Sequence, residues 1–149
     1  MGSRNLNFLD KKVSIKKLNE IATNGGNILK YLDKQQTNFV SFGESYFSCI
    51  NFDYIKGWKR HKEATLNIAV LVGKIKFVIF DDRKKVDGEF MEFVLSRKNF
   101  NLLTVPPMCW MAFQGLDKAE SILINTIDII HDPKEAENIN ISEIKYDWG

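Results

Sequence analysis

The segment over residues 56–63 holds the densest group of side chains that could do chemistry. Five of its eight side chains are basic or can become basic, and it leads directly into an apolar run. Because alternate side chains of a strand face the same way, Lys59 and His61 share one face. Arg60 and Lys62 share the other. Two basic groups facing a barrel interior would form an electropositive pocket for an anionic or enolate-forming ligand. The alternative is an exposed basic hairpin whose charges are simply solvated.

Histidine is scarce in this chain, which contains only His61 and His131. A metal site built on histidine would need both of them with a carboxylate such as Glu63, and the sequence does not indicate that these groups meet. We therefore expect no metal. His131 lies where an apolar run ends ahead of Pro133, and we interpret it as a histidine that forms hydrogen bonds within a turn.

Pro106 and Pro107 form a second informative segment. Two consecutive prolines fix φ and remove two N–H donors, so the chain makes a stiff corner between strands. The apolar stretch that follows would direct Trp110 or Met111 consistently. This corner is either purely structural or it holds an aromatic wall for a sugar or a base.

Strand signals dominate the chain from residue 39 onward. Runs of β-branched and aromatic residues are separated by turn signals about every 8–12 residues. This spacing predicts an all-β sandwich or jelly-roll barrel and argues against a parallel sheet. The predicted strands are 40–42, 46–52, 65–72, 74–80, 90–95, 102–105, 111–114 and 121–130.

The length of 149 residues predicts one domain over residues 1–149. Residues 1–23 are expected to be loosely structured or to form an edge strand, and residues 133–149 to form a short tail. A helix is expected to start within Asp132–Glu137, because a proline occupies its first turn together with acidic residues. The tail should pack back on the barrel through its large side chains, which are Ile144, Tyr146 and Trp148.

The composition excludes several functional classes. Twenty-one Lys and Arg against 19 Asp and Glu give a net charge of +2, too little for a non-specific nucleic-acid binder or a polybasic membrane binder. No apolar run approaches about 18 residues, and the first residues lack the apolar core of a secretory signal. Cys49 and Cys109 are isolated, which favours two reduced, buried thiols or else one disulfide. We expect a cytoplasmic protein with no nucleic-acid or membrane partner.

Several of these segments occur in an order that one enzyme superfamily shares. They resemble the cupin-type deoxysugar enzymes, namely the dTDP-4-dehydrorhamnose 3,5-epimerases and the dTDP-4-keto-6-deoxyhexose 3,4-ketoisomerases. Residues 106–110 and the pair His61-Lys62 are similar to the ketoisomerases, whereas residues 43–52 and 144–148 look like a compact branch labelled 3,5-epimerase-like. The segments that carry the resemblance are 56–62, 73–75, 81–83, 105–107 and 128–133.

The resemblance implies a cupin-type jelly-roll barrel of antiparallel strands with minor helical segments. It implies an epimerase-like isomerase that acts on a nucleotide-linked 4-keto-6-deoxyhexose. Such chemistry needs no cofactor, because the ketone itself acidifies the neighbouring C–H bond. The alternatives are a 3,4-ketoisomerase of the same substrate class and a non-catalytic cupin that binds a sugar nucleotide or a partner enzyme in surface-polysaccharide synthesis. A metal-dependent cupin is a weaker possibility. A homodimer is also implied, since all-β domains must cover their edge strands.

The site residues of the superfamily match this chain only in part. The proton-abstracting histidine of the epimerases falls on Lys59, and their tyrosine proton donor falls on or beside Ile124 and Asn125. The histidine expected after the double proline falls near Met111. His61 matches the second histidine of the ketoisomerase motif.

These matches imply a specific set of roles. A lysine can replace a histidine base only if its pKa falls from about 10.4 to about 7. We therefore expect His61 to move the proton and Lys59 to stabilise the enolate oxygen. Tyr46 is expected to be the catalytic tyrosine of the ketoisomerase pattern. The residues expected to bind substrate are Ser48, Arg60, Asn67 and Trp110.

Overall fold

The computed structural model describes residues 11–84 and 86–149, and the regular structure within these ranges is almost entirely β-strand. A short 3-10 helix at Ile141–Glu143 follows the last strand. No helix among the described residues is long and apolar enough to cross a membrane. In chain order the strands are β1 (Ser14–Lys17), β2 (Glu20–Ile21), β3 (Ile28–Leu29), β4 (Glu44–Ile50), β5 (Ile55–His61), β6 (Leu66–Val72), β7 (Lys74–Asp81), β8 (Glu89–Ser96), β9 (Asn101–Val105), β10 (Trp110–Gly115), β11 (Ser121–Ile127) and β12 (Ala136–Asn138).

The strands assemble into two five-stranded antiparallel sheets. The first sheet has the order β1-β9-β6-β11-β4 and the second the order β12-β5-β10-β7-β8, while β2 and β3 pair separately. From β4 onward the chain passes repeatedly from one sheet to the other, which is the jelly-roll arrangement. The prediction of an all-β, cupin-type jelly-roll barrel is confirmed. Within the predicted N-terminal segment 1–23, the structure describes residues 11–23, and β1 forms an edge strand there. The single domain over residues 1–149 stays a prediction.

The hydrophobic core lies between the sheets and uses alternate residues of each strand. Ile68 and Val70 of β6 meet Phe77 and Ile79 of β7, and all four side chains are fully buried. Burying a side chain of this size contributes about 1.5–3 kcal/mol. Towards one end of the barrel the inward-facing side chains of β4, β5 and β11 become polar, and this change positions the candidate site.

The C-terminal tail covers the outer face of the second sheet. Trp58 of β5 is fully buried there, and its Nε1 donates a hydrogen bond of 3.2 Å to the carbonyl of Ile141. The ring centroids of Trp58 and Trp148 lie 6.1 Å apart. Ile144, Tyr146 and Trp148 all pack against this cluster, which confirms that the tail folds back through them.

Two local predictions are wrong. Residues 40–42 form no strand, and residues 132–137 form a turn and the start of β12 where a helix was predicted. The physical reason for the second error is strand pairing. β12 joins the edge of β5 with Ala136 opposite His61, so the sheet satisfies the backbone groups that a helix would otherwise have paired.

The two cysteines differ in exposure. Cys109 is buried as predicted, and burial raises the pKa of its thiol to about 12. Cys49 lies on the outer side of the edge strand β4 and is exposed, so the prediction that it is buried is wrong. Both thiols are free, and the disulfide alternative is therefore wrong as well.

Replacing Trp58 by alanine tests the packing of the tail. We expect Trp58→Ala to lower the free energy of unfolding by about 3–5 kcal/mol, because it leaves a large void between β5 and the tail. Urea unfolding followed by fluorescence and circular dichroism measures this loss. Phe42→Ala is the control, since the Phe42 ring is 67% exposed, and it should cost less than about 0.5 kcal/mol. Equal losses in the two variants would contradict the packing described.

Candidate active site

A cavity of about 680 Å³ opens between the sheets where polar side chains replace the core. Strands β4, β6 and β11 of the first sheet form one wall, and β5 and β10 of the second sheet form the other. Apolar side chains such as Ile68, Phe113 and Leu123 form part of the lining. The polar lining residues are Glu44, Tyr46, Ser48, Lys56, Lys59, His61, Asn125, His131 and Asn138.

Strand β5 lies close against β10 because residue 57 is a glycine. Gly57 has a φ of +139°, a backbone conformation that side chains disfavour. A Cβ atom at this position would come within 2.5 Å of the Cβ of Ala112 on β10. The glycine therefore allows the close approach of β5 to β10 just before Lys59 and His61.

His61 and Glu135 form a buried pair at the end of β5. The Nδ1 atom of His61 lies 2.6 Å from Oε1 of Glu135, and each residue is 9% exposed. The other carboxylate oxygen of Glu135 accepts hydrogen bonds from the backbone N–H groups of Glu63, at 3.0 Å, and Ala64, at 2.9 Å. Burial opposes ionisation of Glu135. The two N–H donors and His61 together outweigh it, so the pKa of Glu135 lies below its ordinary value.

Backbone contacts also hold His61 in place. The N–H of Met108 donates to the carbonyl of His61 at 2.7 Å, and the N–H of Lys62 donates to the carbonyl of Glu135 at 2.8 Å. A carboxylate at Nδ1 favours the tautomer in which Nδ1 carries the proton. This arrangement leaves Nε2 of His61 as the ring nitrogen that can exchange a proton with a molecule in the cavity.

Lys59 lies on the same cavity wall as His61, as strand alternation predicts. Across the neighbouring strands its backbone lies opposite Met111 of β10 and Asn138 of β12. Within residues 11–84 and 86–149 its ammonium group has no hydrogen-bond or ion-pair partner. Lys56, by contrast, donates from Nζ to the carbonyl of Cys49 at 2.6 Å. Lys59 is therefore a free cation available to an anionic group in the cavity.

Tyr46 and Ser48 project from the opposite wall on β4. The Nδ2 atom of Asn125 on β11 donates a 3.0 Å hydrogen bond to the phenol oxygen of Tyr46. Burial raises the pKa of Tyr46, the hydrogen bond from Asn125 lowers it, and the charge of Glu44 raises it, with a net increase. The phenol is therefore protonated at neutral pH and can donate a proton.

Three residues predicted to bind substrate lie outside the cavity. Arg60 pairs with Glu137 at 2.7 Å, and its guanidinium lies 4.4 Å from the ring centroid of Trp110. Asn67 accepts a 2.7 Å hydrogen bond from Thr104 on the outer side of the first sheet. The reason is alternation: residues next to inward-facing positions must face outward. Trp110 lies directly across from Arg60 and so shares its outer face. We therefore exclude Arg60, Asn67 and Trp110 from the candidate site.

The candidate site also contains residues that sequence reasoning missed. His131 lines it and is exposed, although we interpreted this histidine as a turn residue. Glu135, Glu44 and Asn125 were not assigned any role. Glu135 lies 74 positions after His61 in the chain, and no sequence pattern indicates that the two side chains meet. His131 could have been identified, because it is one of only two histidines in the chain. Among the described residues, no three His, Cys, Asp or Glu side chains are grouped closely enough to hold a metal ion.

Comparison with known proteins gives a consistent picture. No family model matches the chain. Over 100 residues, or 65% of its length, the chain is 30% identical to the probable low-salt glycan biosynthesis epimerase Agl13 of Haloferax volcanii. That match spans 64% of the archaeal protein, which is less than two thirds of its length.

Solved structures resemble the chain over more of its length. A dTDP sugar isomerase from Desulfovibrio desulfuricans G20 superimposes with a TM-score of 0.83 at 32% identity, over 89% of this chain and 86% of that one. A dTDP-4-dehydrorhamnose 3,5-epimerase from Bacillus anthracis str. Ames gives a TM-score of 0.77 at 23% identity, over 91% and 82% of the two chains. The likeness to the Bacillus anthracis enzyme shows that the two chains share a fold.

The carboxylate of Glu135 makes stability depend on pH. Its pKa is lowered in the folded protein from an ordinary value of 4.5. Its contribution to stability is therefore present above pH 4.5 and is lost as the pH falls through the lower, folded value. We expect Glu135→Gln to be clearly less stable than the wild type at pH 6–7, and the difference to shrink in acid. Urea unfolding between pH 3 and 7 measures it. Glu120→Gln, at an exposed residue just before β11, is the control; a pH-independent difference for Glu135→Gln would contradict the ionised pair.

Proposed function

The chain belongs to the superfamily of cupin-type deoxysugar epimerases and ketoisomerases, and we propose that it is a nucleotide-sugar epimerase. Its proposed substrate is a nucleotide-linked 4-keto-6-deoxyhexose. The proposed reaction transfers a proton at a carbon next to the keto group. The glycan biosynthesis epimerase and the dTDP sugar isomerase among the similar proteins support this class of reaction and substrate.

One observation carries the proposal: groups suited to remove and to return a proton lie on opposite walls of one cavity. His61 projects from β5 of the second sheet, whereas Tyr46 projects from β4 of the first sheet. A proton removed from one face of a sugar ring and returned to the other inverts the carbon between them. A cavity of about 680 Å³ is within the range of about 300–1,000 Å³ that is usual for small-molecule sites.

His61 serves as the base in the proposed reaction. Its Nε2 takes the proton from the carbon beside the ketone, and the electron pair of that C–H bond moves into an enolate. The imidazolium that forms is stabilised by the carboxylate of Glu135 at Nδ1. The free ammonium of Lys59 on the same wall stabilises the enolate oxygen.

Tyr46 serves as the acid from the opposite wall. Its O–H gives a proton to the enolate carbon, which restores the ketone and leaves a phenolate. Water then returns a proton to the phenolate and accepts one from the imidazolium, so the enzyme is regenerated without a cofactor. The raised pKa of Tyr46 suits an acid that must be protonated when substrate arrives.

The remaining polar lining suits an anionic sugar nucleotide. The ammonium groups of Lys56 and Lys59 outnumber the single carboxylate of Glu44 among the side chains that line the cavity. This excess of cationic groups favours phosphate oxygens. We assign the hydroxyl of Ser48, on the same wall as Tyr46, to a contact with the sugar.

A 3,4-ketoisomerase is the second candidate, and one observation favours it. Lys59 and His61 lie side by side on the same wall, so protons could be removed and returned at neighbouring carbons from one face. The residues at Pro106–Trp110 and the pair His61-Lys62 also resemble the ketoisomerases. In this case the keto group would move from C4 to C3 with no inversion.

Deuterium exchange tests the proposed reaction. In D₂O, the protein should place deuterium at C3 or C5 of dTDP-4-keto-6-deoxyglucose, detected by NMR. An epimerase keeps the ketone at C4, whereas a ketoisomerase moves it to C3. His61→Asn should slow exchange by about 100-fold or more. Lys59→Met should also slow it, while Lys62→Met, at an exposed residue that lines no part of the cavity, should not.

A complete lack of proton exchange would overturn the enzymatic proposal. If the folded wild-type protein exchanges no proton on a panel of 4-keto nucleotide sugars, it is not an enzyme of this class. The non-catalytic cupin that binds a sugar nucleotide or a partner enzyme would then take its place.

We also propose that two copies of the chain associate as a homodimer that works in the cytoplasm. The outer face of the first sheet carries an apolar groove where Phe47 is 69%, Leu71 46% and Val72 45% exposed. A contiguous apolar face of this kind is typical of a protein interface, and the superfamily resemblance favours a second copy as its occupant. The free thiols of Cys49 and Cys109 fit a reducing compartment.

A charge placed in the groove tests the homodimer. Phe47→Arg should convert a dimeric wild type to monomers, because the new charge would be buried without a partner. Sedimentation equilibrium measures the mass in solution. Phe42→Arg replaces another exposed ring that does not line the groove, and it should leave the dimer intact. A monomeric wild type would contradict the proposal.

A further inference from the structure

Asn125 is a polar residue in an otherwise apolar row of strand β11. Leu123 and Ile127, two residues to either side, face the same cavity wall and belong to the apolar core. Asn125 itself is only 3% exposed. Burying an amide in such a row is unfavourable unless both of its ends are hydrogen bonded. We therefore expect a hydrogen-bond partner for Nδ2 of Asn125 and another for its Oδ1.

One end of the amide holds the phenol of Tyr46. Asn125 and Tyr46 lie directly opposite each other on the paired strands β11 and β4. Nδ2 of Asn125 donates to the phenol oxygen at 3.0 Å. Because that N–H occupies a lone pair of the oxygen, the phenol hydrogen must point elsewhere. No acceptor for it lies within the described part of the chain, and the cavity is the space in front of it.

The other end of the amide has no partner. Oδ1 of Asn125 is buried and accepts no hydrogen bond from residues 11–84 or 86–149. An acceptor of this kind on a cavity-lining residue is satisfied when a ligand supplies a donor. A sugar hydroxyl next to the reacting carbon has the required chemistry.

We propose that Asn125 is a positioning residue that directs the phenol O–H of Tyr46 toward the bound sugar and that accepts a hydrogen bond from a sugar hydroxyl. This inference rests on the proposed function, because it assigns Tyr46 to return the proton. Asn125 would thus determine on which face of the ring the proton arrives. The proton balance is that of the proposed reaction: the C–H proton goes to His61, and the new C–H proton comes from Tyr46.

The inference predicts that losing Asn125 separates exchange from inversion. His61 would still remove the substrate proton and, in D₂O, return deuterium to the same face, which labels the sugar without inverting it. Delivery from Tyr46 would fail, because its O–H would no longer be held in one direction. A merely structural role for Asn125 would lower exchange and inversion together.

The experiment compares Asn125→Leu with Ile124→Val, a conservative change at the neighbouring residue that does not line the cavity. For each variant, NMR in D₂O measures the rate of deuterium incorporation and the rate of net inversion on the same 4-keto nucleotide sugar. In Asn125→Leu we expect inversion to fall about tenfold or more relative to exchange. In Ile124→Val the ratio should equal that of the wild type. An unchanged ratio in Asn125→Leu overturns the inference.

A second readout does not depend on activity. The Asn125 hydrogen bond lowers the pKa of Tyr46 against the effects of burial and of Glu44. Asn125→Leu should therefore move the titration of Tyr46 to higher pH, followed by phenolate absorbance as the difference from the matching Tyr46→Phe protein. Asn125→Asp should move it in the same direction, because a second carboxylate would face the phenol. An unchanged titration overturns the contact itself.

The two readouts separate the failure of this inference from that of the proposed function. No exchange by the wild-type protein overturns the function and, with it, the kinetic role of Asn125. Normal exchange by the wild type with coupled losses in Asn125→Leu overturns the positioning role alone. Uncoupled exchange together with a shifted phenol titration supports both.

Discussion

The geometry of the site depends on one buried carboxylate. One oxygen of Glu135 accepts a hydrogen bond from Nδ1 of His61, and the other accepts hydrogen bonds from two backbone N–H groups. Three hydrogen bonds to a buried carboxylate hold that carboxylate firmly, and they also fix the positions of the three groups that donate them. The carboxylate thereby joins the C-terminal segment to the end of β5 and to the turn that leads into β6. The imidazole orientation and the placement of β12 are two results of the same contact.

The jelly-roll fold places a second sheet across the cavity from His61 and Glu135. A single sheet presents its side chains from one side only, so it can approach only one face of a flat ring. In this barrel, β4 and β11 face β5 and β10 across the cavity. Strand pairing makes each wall rigid, since Tyr46 and Asn125 are fixed opposite each other by the register of β4 and β11. The distance between the two walls is therefore set by packing of the core rather than by any flexible loop.

Period-two alternation explains which parts of the site the sequence could predict. It placed Lys59 and His61 together and Arg60 opposite them, and the structure agrees. The same alternation places Arg60, which was expected to bind substrate, on the outer face beside Glu137 and Trp110. Glu135 and Asn125 were beyond reach, because their roles depend on which distant strands become neighbours.

The C-terminal segment shows a second limit of sequence reasoning. Residues 132–137 combine a proline with acidic residues, a pattern that is typical of a helix start. Instead, residues 136–138 pair with the edge of β5, and this pairing satisfies their backbone groups. The strands from residue 44 to residue 127 were predicted well because their patterns are local, whereas the short β12 forms through its pairing with β5, which no local pattern defines.

The two faces of β5 are occupied by different neighbours, and this division has an evolutionary consequence. Trp58 packs against the tail and Arg60 lies over the ring of Trp110, whereas the side chain of Lys59 faces the cavity. A substitution at position 59 can therefore occur without loosening the outer packing. The lysine at position 59, where the resemblance to the epimerases implies a histidine, is the kind of change that such a strand tolerates. The chemistry at this position of the inner face can thus change with little effect on the free energy of unfolding.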